Sequence, residues 1–101
     1  MSFRFKVAPA AAQQIRTAAE WWLKNRTKAP TAFAEDLEAA FTLIQALPNA
    51  GERVQHPTIP SVRRILLGRV HYHLYYSVLV EESVVEILAL WHTSRGSSPR
   101  L

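Results

Sequence analysis

The feature that most constrains the fold is a strict alternation of residue type from Val70 to Val80. Successive side chains of a strand point to opposite faces of a sheet, so this pattern predicts a β-strand with one buried face. The apolar row comprises Val70, Tyr72, Leu74, Tyr76, Val78 and Val80. The opposite row begins at His71 and includes His73 and Tyr75. A slip of one residue would expose the whole apolar row, so burial is expected to fix the register.

A second alternating segment follows the polar break at residues 81–83. Its apolar residues are Val85, Ile87, Ala89 and Trp91. Antiparallel pairing of the two apolar rows sets Val78 opposite Ile87 and Leu74 opposite Trp91. The whole of this second row is therefore expected to face the core.

A turn at Gly68 and Arg69 is predicted to join a third strand to the first. Two residues suffice for a type II′ hairpin turn, because glycine readily adopts the positive φ that the turn requires. This turn sets Arg64 opposite His73. Together, the two hairpins are expected to place Arg64, His73 and His92 in one row on the face of the sheet that points away from the core.

The first half of the chain predicts one strand and two helices. Residues 3–7 alternate between apolar and basic side chains, as in a short strand. Residues 11–26 carry apolar side chains at helical spacing, and a second apolar stripe begins at Pro30 or Thr31 and stops at Pro48. We therefore expect an α+β fold: an N-terminal strand, a helical hairpin, then a three-stranded antiparallel meander. The helices would cover one sheet face in a two-layer sandwich.

Length and composition indicate a single globular domain. The chain has 101 residues, 49% of them hydrophobic, which is enough for one core and too apolar for a disordered chain. It has no cysteine, so disulfide scaffolds and thiolate metal sites are excluded. No apolar run reaches the ~18 residues of a membrane span, and no signal-peptide pattern is visible. We expect one domain over residues 1–95, a flexible tail over 96–101, no cofactor and a cytoplasmic location.

Charge is distributed unevenly along the chain. The net charge is +4, and all four histidines lie in the second half. The arginines of that half are Arg53, Arg63, Arg64, Arg69, Arg95 and Arg100. This asymmetry favours an acidic partner, either a nucleic acid or an acidic protein. A solvated basic surface without a partner is the alternative interpretation.

Trp21 is a candidate anchor for a partner. Trp21 and Trp22 are adjacent, so only one of them can face the core of a single helix. Trp22 fits the apolar stripe of the first helix. We therefore expect Trp21 to be exposed or in contact with a partner, as interface tryptophans often are.

An ordered set of segments is similar to the RelE/ParE toxins of type II toxin–antitoxin systems. The set consists of Pro48 to Gly51, Val62-Arg63-Arg64, Tyr72-His73-Leu74-Tyr75-Tyr76-Ser77-Val78, Ile87-Leu88-Ala89-Leu90-Trp91-His92 and Arg95. The resemblance extends over nearly the whole chain. It implies a small toxin that is held inactive by a cognate antitoxin encoded beside it, with an extended or helical antitoxin segment wrapped around the toxin.

The resemblance implies one of two activities. RelE-like toxins cut messenger RNA on the ribosome, whereas ParE-like toxins poison DNA gyrase and were first met as plasmid-stabilisation elements. RelE-like nucleases tend to carry an arginine where this chain has His73, and their terminal aromatic residue has no equivalent here. The paired tyrosines and the ending from His92 to Arg95 resemble the ParE branch. We therefore favour a gyrase inhibitor; the alternatives are a ribosome-dependent endoribonuclease and a member that only binds its antitoxin.

The candidate site residues differ between these activities. In a nuclease, His73, His92 and Arg64 could supply acid, base and positive charge, because histidine titrates near neutral pH. The candidates for binding a partner are Trp21, Arg64, Tyr75, His92 and Arg95, with Tyr75 expected on the open face of the sheet. A zinc site at His73 and His92 lacks a third ligand, so we predict no metal site.

Overall fold

A five-stranded sheet covered on one face by a helical hairpin forms the protein, which we describe from a computed structural model over residues 3–101. The elements are β1 (Arg4–Val7), α1 (Pro9–Asn25), α2 (Ala32–Ala46), β2 (Glu52–Arg53), β3 (Val62–Leu67), β4 (Tyr72–Leu79) and β5 (Val84–His92). The strand order is β1-β5-β4-β3-β2, with β1 parallel to β5 and all other pairs antiparallel. The predicted α+β fold is confirmed. Within the described residues, neither helix combines the length and the apolar character that a membrane span requires.

The helical hairpin begins and ends where the local sequence predicts. Proline stands in the first turn of α1, where its missing N–H costs no hydrogen bond. Helix α2 ends at Ala46, and the following residues, Pro48–Ala50, form one turn of 3₁₀ helix. Pro48 cannot continue an α-helix, because it has no N–H to donate to the preceding turn.

The main core lies between the helices and the sheet. Its largest fully buried side chains include Ile44 from α2, Leu74 and Tyr76 from β4, and Ile87 from β5. The predicted apolar row therefore faces the helices from Val70 to Val78, as expected. Its last member, Val80, was wrongly assigned, because it lies in a 3₁₀ turn after β4 and is 69% exposed. These side chains alternate with period 2 on the strands and lie along one stripe of each helix.

The predicted pairing of β4 with β5 is wrong from the turn onward, because Val78 lies opposite Val85 rather than Ile87, and a β-bulge at Leu88 shifts it again. Tyr76 lies opposite Ile87, but Tyr75 lies opposite Ala89, so Leu88 has no partner on β4. The extra residue reverses the alternation, as a bulge does. Ala89 and Trp91 therefore pack on the face away from the helices, and their predicted place in the main core is wrong.

The turn between β3 and β4 is also wider than predicted. Leu67 pairs with Tyr72, so the turn spans four residues, Gly68 to His71. No glycine takes a positive φ; His71 does, at 62°. The wider turn lets Val70 enter the main core, where it is 1% exposed. Burial of this side chain outweighs the local preference for a two-residue turn, and Arg64 consequently lies opposite Tyr75 rather than His73.

The turn is held against the N-terminal end of α2 by Arg69. Its backbone N donates to Asp36 Oδ2 at 3.0 Å, and its Nε donates to Asp36 Oδ1 at 2.9 Å. Its Nη2 also donates to Glu35 Oε1 at 3.0 Å. These contacts join residues more than thirty positions apart, so they were not visible in the local pattern of the turn.

A second, smaller apolar cluster covers the other face of the sheet. Val62, Tyr75 and Ala89 are buried there. Their cover consists of Val54, Ile59, Leu88, Trp91 and Leu101. The face expected to be open is thus partly closed by the loop between β2 and β3 and by the C-terminal residues. Residues 96–101, expected to be a flexible tail, make specific contacts: Trp91 Nε1 donates to the carbonyl oxygen of Ser97 at 2.7 Å.

Gly51 lies where two parts of the chain approach closely. The hydroxyl of Tyr76 donates to the carbonyl oxygen of Pro48 at 2.8 Å and accepts from the backbone N of Gly51 at 2.8 Å. A Cβ atom at position 51 would lie 2.5 Å from that hydroxyl and 2.8 Å from the carbonyl oxygen of Arg64. Only glycine fits, because the second of these atoms belongs to the backbone. This contact fixes the path from α2 into β2.

Candidate functional site

The two candidate histidines lie on opposite faces of the sheet. His92 is opposite Tyr72, and their rings form an edge contact with centroids 4.9 Å apart on the side of the helices. His73 follows Tyr72 on β4, so its side chain points to the other face, where its ring is 6.2 Å from that of Tyr75. The sheet therefore separates the two imidazoles. The predicted row of Arg64, His73 and His92 is wrong, because the bulge and the wider turn both shift the pairing.

Arg64 is held by a carboxylate and a phenol. Its Nε donates to Glu52 Oε1 at 2.6 Å, and its Nη1 donates to the hydroxyl of Tyr75 at 3.2 Å. The hydrogen bond to Glu52 raises the pKa of Arg64, and the same bond lowers the pKa of Glu52. The guanidinium is thus fixed in orientation, and its charge is partly compensated.

His73 is held in its neutral form. Burial lowers the pKa of its imidazole, and the nearby Arg64 cation lowers it further, against the weaker opposing effect of Glu52. At neutral pH this side chain can accept a proton but has little of the acidic form to donate one.

Arg64 and Tyr75 form the base of a pocket, which we call the Arg64 pocket. Its volume is about 470 Å³. Arg53 and His56 line it from the chain around β2, and residues 98–101 line it from the C-terminal end. Tyr75 is only 3% exposed, so it does not lie on an open face as expected. Its ring is buried, and its hydroxyl lies at the base of the pocket.

A larger groove lies between α1 and the sheet; we call it the helix groove. Its volume is about 920 Å³. Three of the candidate partner-binding residues, Trp21, His92 and Arg95, line it together. Trp21 is 43% exposed, as its position beside the more buried Trp22 predicts. The structure thus separates the candidates into two sites, with Arg64 and Tyr75 in the Arg64 pocket.

Two arginines that line the helix groove, Arg26 and Arg95, lie next to tryptophan rings, of which that of Trp91 lies outside the groove. The guanidinium carbon of Arg26 lies 4.8 Å from the ring centroid of Trp21 and 5.6 Å from that of Trp22. Arg95 lies 4.0 Å from the ring centroid of Trp91. Such pairs are attractive, because a ring face carries partial negative charge. No carboxylate lines the groove, and in residues 3–101 the ion pairs between arginine and carboxylate involve only Arg64 and Arg69.

Sequence reasoning missed several residues of both sites. Arg26 lies four residues after Trp22, a spacing that brings side chains together on a helix and could have been recognised. Glu52 belongs to a strand of two residues, which is too short to produce a pattern. Arg100 reaches the Arg64 pocket through the path of the tail. In the part of the chain that the structure describes, no three His, Asp or Glu side chains lie close enough to hold a metal ion.

Three solved structures share this fold over nearly their whole length. The toxin–antitoxin complex RelBE of E. coli is 18% identical, with a TM-score of 0.64; the match covers 92% of this chain and 99% of that one. The chromosomal ParDE system of P. aeruginosa is 20% identical, with a TM-score of 0.65, and the coverages are 89% and 95%. The archaeal RelE–RelB complex of Pyrococcus horikoshii is 19% identical, with a TM-score of 0.60, and the coverages are 95% and 100%. At these identities the likeness shows the fold alone.

The family follows from the sequence as a whole. No curated protein matches it significantly. The family model described as the ParE toxin of the type II toxin–antitoxin system, parDE, matches residues 5–96, which span every strand and helix from β1 onward except the first residue of β1. The chain therefore belongs to the ParE toxin family and is a type II toxin of the RelE/ParE superfamily.

Proposed function

We propose that this toxin is a ParE-like inhibitor of DNA gyrase that a cognate antitoxin neutralises. The observation that carries the proposal is the separation of His73 and His92 onto opposite faces of the sheet. RNA cleavage by attack of a 2′-hydroxyl needs a base, an acid and positive charge around one phosphate. The candidate residues do not surround a single point in this way, so surface binding is the better supported mode of action.

The surroundings of Arg64 also favour binding over catalysis. A catalytic arginine stabilises charge that develops on the substrate, and this effect is largest when no other carboxylate competes for it. Here Glu52 already accepts from the guanidinium at 2.6 Å. A ribosome-dependent endoribonuclease would have to work with a compensated cation and with His73 and His92 on opposite faces of the sheet.

The match to the ParE family model supports the gyrase branch. By the resemblance described above, ParE-like toxins act on gyrase and were first met in plasmid stabilisation. We extend both properties to this chain as part of the proposal, with action in the cytoplasm, where gyrase works.

We propose the helix groove as the surface that an antitoxin segment covers. The relatives from E. coli, P. aeruginosa and Pyrococcus horikoshii come from toxin–antitoxin structures, which supports an antitoxin partner for this chain. The groove combines the exposed ring of Trp21 with the cations Arg26 and Arg95, which no carboxylate compensates within residues 3–101. An amphipathic segment with acidic side chains would bury the ring and pair with both arginines.

Induction of the toxin in bacteria tests the gyrase proposal. We expect double-strand breaks and the DNA-damage response to rise while messenger RNA stays intact, because gyrase is poisoned and translation is not attacked. Pulsed-field gels and sequencing of messenger RNA ends measure the two outcomes in one culture. Replacement of Arg64 or Arg95 by alanine is expected to weaken the effect. Cleavage of messenger RNA that precedes the DNA damage would contradict the proposal.

Co-expression with the product of the adjacent gene tests the antitoxin surface. We expect rescued growth and a co-purifying complex. Trp21→Ala is expected to weaken that complex by roughly 30-fold or more, as buried interface tryptophans do. Leu23→Ala is the matched control, because Leu23 lies on the same helix, is 64% exposed and does not line the groove. Equal losses in the two variants, measured by calorimetry, would place the antitoxin elsewhere.

A further inference from the structure

The Arg64 pocket has more arginine side chains than acidic side chains to pair with them. Arg53, Arg64 and Arg100 line it, and Glu52 is the one acidic side chain among the lining residues. Arg53 and Arg100 are exposed and form no ion pair with a carboxylate among residues 3–101. Three guanidinium groups of like charge repel one another in one pocket, so an anion bound between them would relieve that repulsion.

Two hydrogen-bond donors at the base of the pocket have no acceptor among residues 3–101. Arg64 uses Nε for Glu52 and Nη1 for Tyr75, which leaves Nη2 without an acceptor in the described chain. The hydroxyl of Tyr75 accepts from Arg64, and its own proton has no acceptor among residues 3–101. Tyr75 is 3% exposed, so the side chains around it prevent its ring from turning away. A donor fixed in this way lowers the entropic cost of binding an anion.

His56 adds a further donor at the rim. Its Nδ1 accepts from the backbone N–H groups of Thr58 and Ile59, at 3.2 Å and 2.9 Å. A ring nitrogen that accepts cannot carry the proton, so in the neutral imidazole Nε2 is the N–H donor. The pocket therefore offers donors from β3, β4, the chain after β2 and the tail.

We propose that the Arg64 pocket binds a phosphate group of a DNA strand. A tetrahedral phosphate has oxygens that point in several directions, so it can accept from Arg64, Tyr75 and the exposed arginines at once, whereas a planar carboxylate suits a single arginine fork. The volume of about 470 Å³ also leaves room for the sugar on either side. The phosphate chemistry rests on the pocket alone; the choice of DNA as its source rests on the proposed action on gyrase.

Through this pocket the toxin makes a second contact in the gyrase–DNA complex. A phosphate held by the Arg64 pocket would anchor the toxin to DNA that gyrase holds, while the helix groove remains on the opposite side of the sheet. Arginines that contact phosphates bind without reading sequence, so we expect affinity for DNA of any sequence and strong dependence on salt.

Fluorescence anisotropy with a short labelled DNA duplex and the purified full chain tests the pocket. Arg53→Gln/Arg100→Gln is expected to weaken binding roughly tenfold or more and to reduce the slope of log affinity against log salt by about 1 to 2. Arg4→Gln/Arg16→Gln is the matched control, because it removes the same charge from exposed positions outside the pocket. The control is expected to change affinity by no more than about twofold, as screened distant charges do.

Tyr75→Phe tests the contribution of the hydroxyl group without changing the charge of the pocket. It keeps the buried ring and removes only the hydroxyl, so affinity is expected to fall roughly tenfold while the salt slope stays unchanged. Circular dichroism checks that this variant folds. Inorganic phosphate is expected to displace the duplex more effectively than chloride at equal ionic strength, because a defined anion pocket prefers phosphate.

Several outcomes would overturn the proposal. Equal losses in the two double variants would show diffuse attraction to the whole basic surface. Binding of inorganic phosphate without binding of DNA would exclude a strand as the ligand, and much tighter binding of RNA or of an acidic peptide would exclude DNA as the source. The DNA-binding measurements do not involve gyrase. If the toxin did not inhibit gyrase but still bound DNA through the pocket, the proposed function would be wrong and the phosphate site would stand.

Discussion

Toxicity is expected to survive the simultaneous replacement of His73 and His92 by glutamine. Glutamine keeps polarity and approximate size but does not titrate, so the change removes acid–base chemistry and little else. A nuclease that used both groups would lose roughly 10²–10⁴-fold in rate for each. We expect instead a loss of less than about tenfold in growth inhibition, because the two imidazoles lie on opposite faces of the sheet and serve no common substrate.

Two measurements make this experiment decisive. Growth inhibition is titrated against inducer for the wild-type chain and the double variant, and the supercoiling activity of purified gyrase is assayed with both. The variant with Arg64→Ala serves as the comparison, because it alters the Arg64 pocket without touching either histidine. Abolished toxicity in the histidine variant, together with lost cleavage of messenger RNA, would establish the nuclease alternative.

Leu74→Ala is expected to lower the free energy of unfolding by about 2–5 kcal/mol. Leu74 is fully buried, and its two neighbours across the sheet are Ile65 and Leu90. Truncation removes apolar atoms from the main core and leaves a cavity that the surrounding strands cannot close. For a domain of this size such a loss is a large part of the total stability. Urea denaturation followed by tryptophan fluorescence measures it.

Leu66→Ala is the matched control for this change. Leu66 lies on β3, and its replacement by alanine removes the same atoms as Leu74→Ala. Its side chain, however, is 54% exposed. Its replacement is expected to change stability by no more than about 0.5 kcal/mol, as at other surface positions. If the Leu74 variant were as stable as the Leu66 variant, the apolar side chains of β4, Leu74 among them, would not face the helices.

Local patterns were sufficient to predict both helices, four of the five strands and the buried face of β4. The alternation around Leu74 and the helical stripe around Trp22 each express a single period, and both match the structure. Pro48 marks the end of α2 because the proline ring leaves no backbone N–H for a helical hydrogen bond. The exposure of Trp21 follows from the same helical geometry.

Strand pairing could not be predicted from the same patterns, because it depends on contacts between distant residues. The turn before β4 is set by burial of Val70 and by the contact of Arg69 with Asp36, across 33 positions of the chain. The burial of Tyr75 depends on Leu101 and on the loop after β2, whose apolar residues are isolated and show no period. The contacts within both candidate sites were therefore predicted wrongly, although five candidate residues line one site or the other: Trp21, Arg64, Tyr75, His92 and Arg95.

The bulge at Leu88 has a consequence for how this sheet can change over time. It shifts the phase of β5 by one residue, so Val85 and Ile87 face the helices before the bulge, whereas Ala89 and Trp91 face the other layer after it. Leu90 still reaches the main core from the second half. A substitution at Trp91 is therefore constrained by the second cluster, and the surface near it can be reshaped for a new target while Val85, Ile87 and Leu90 keep the core beneath the helices constant.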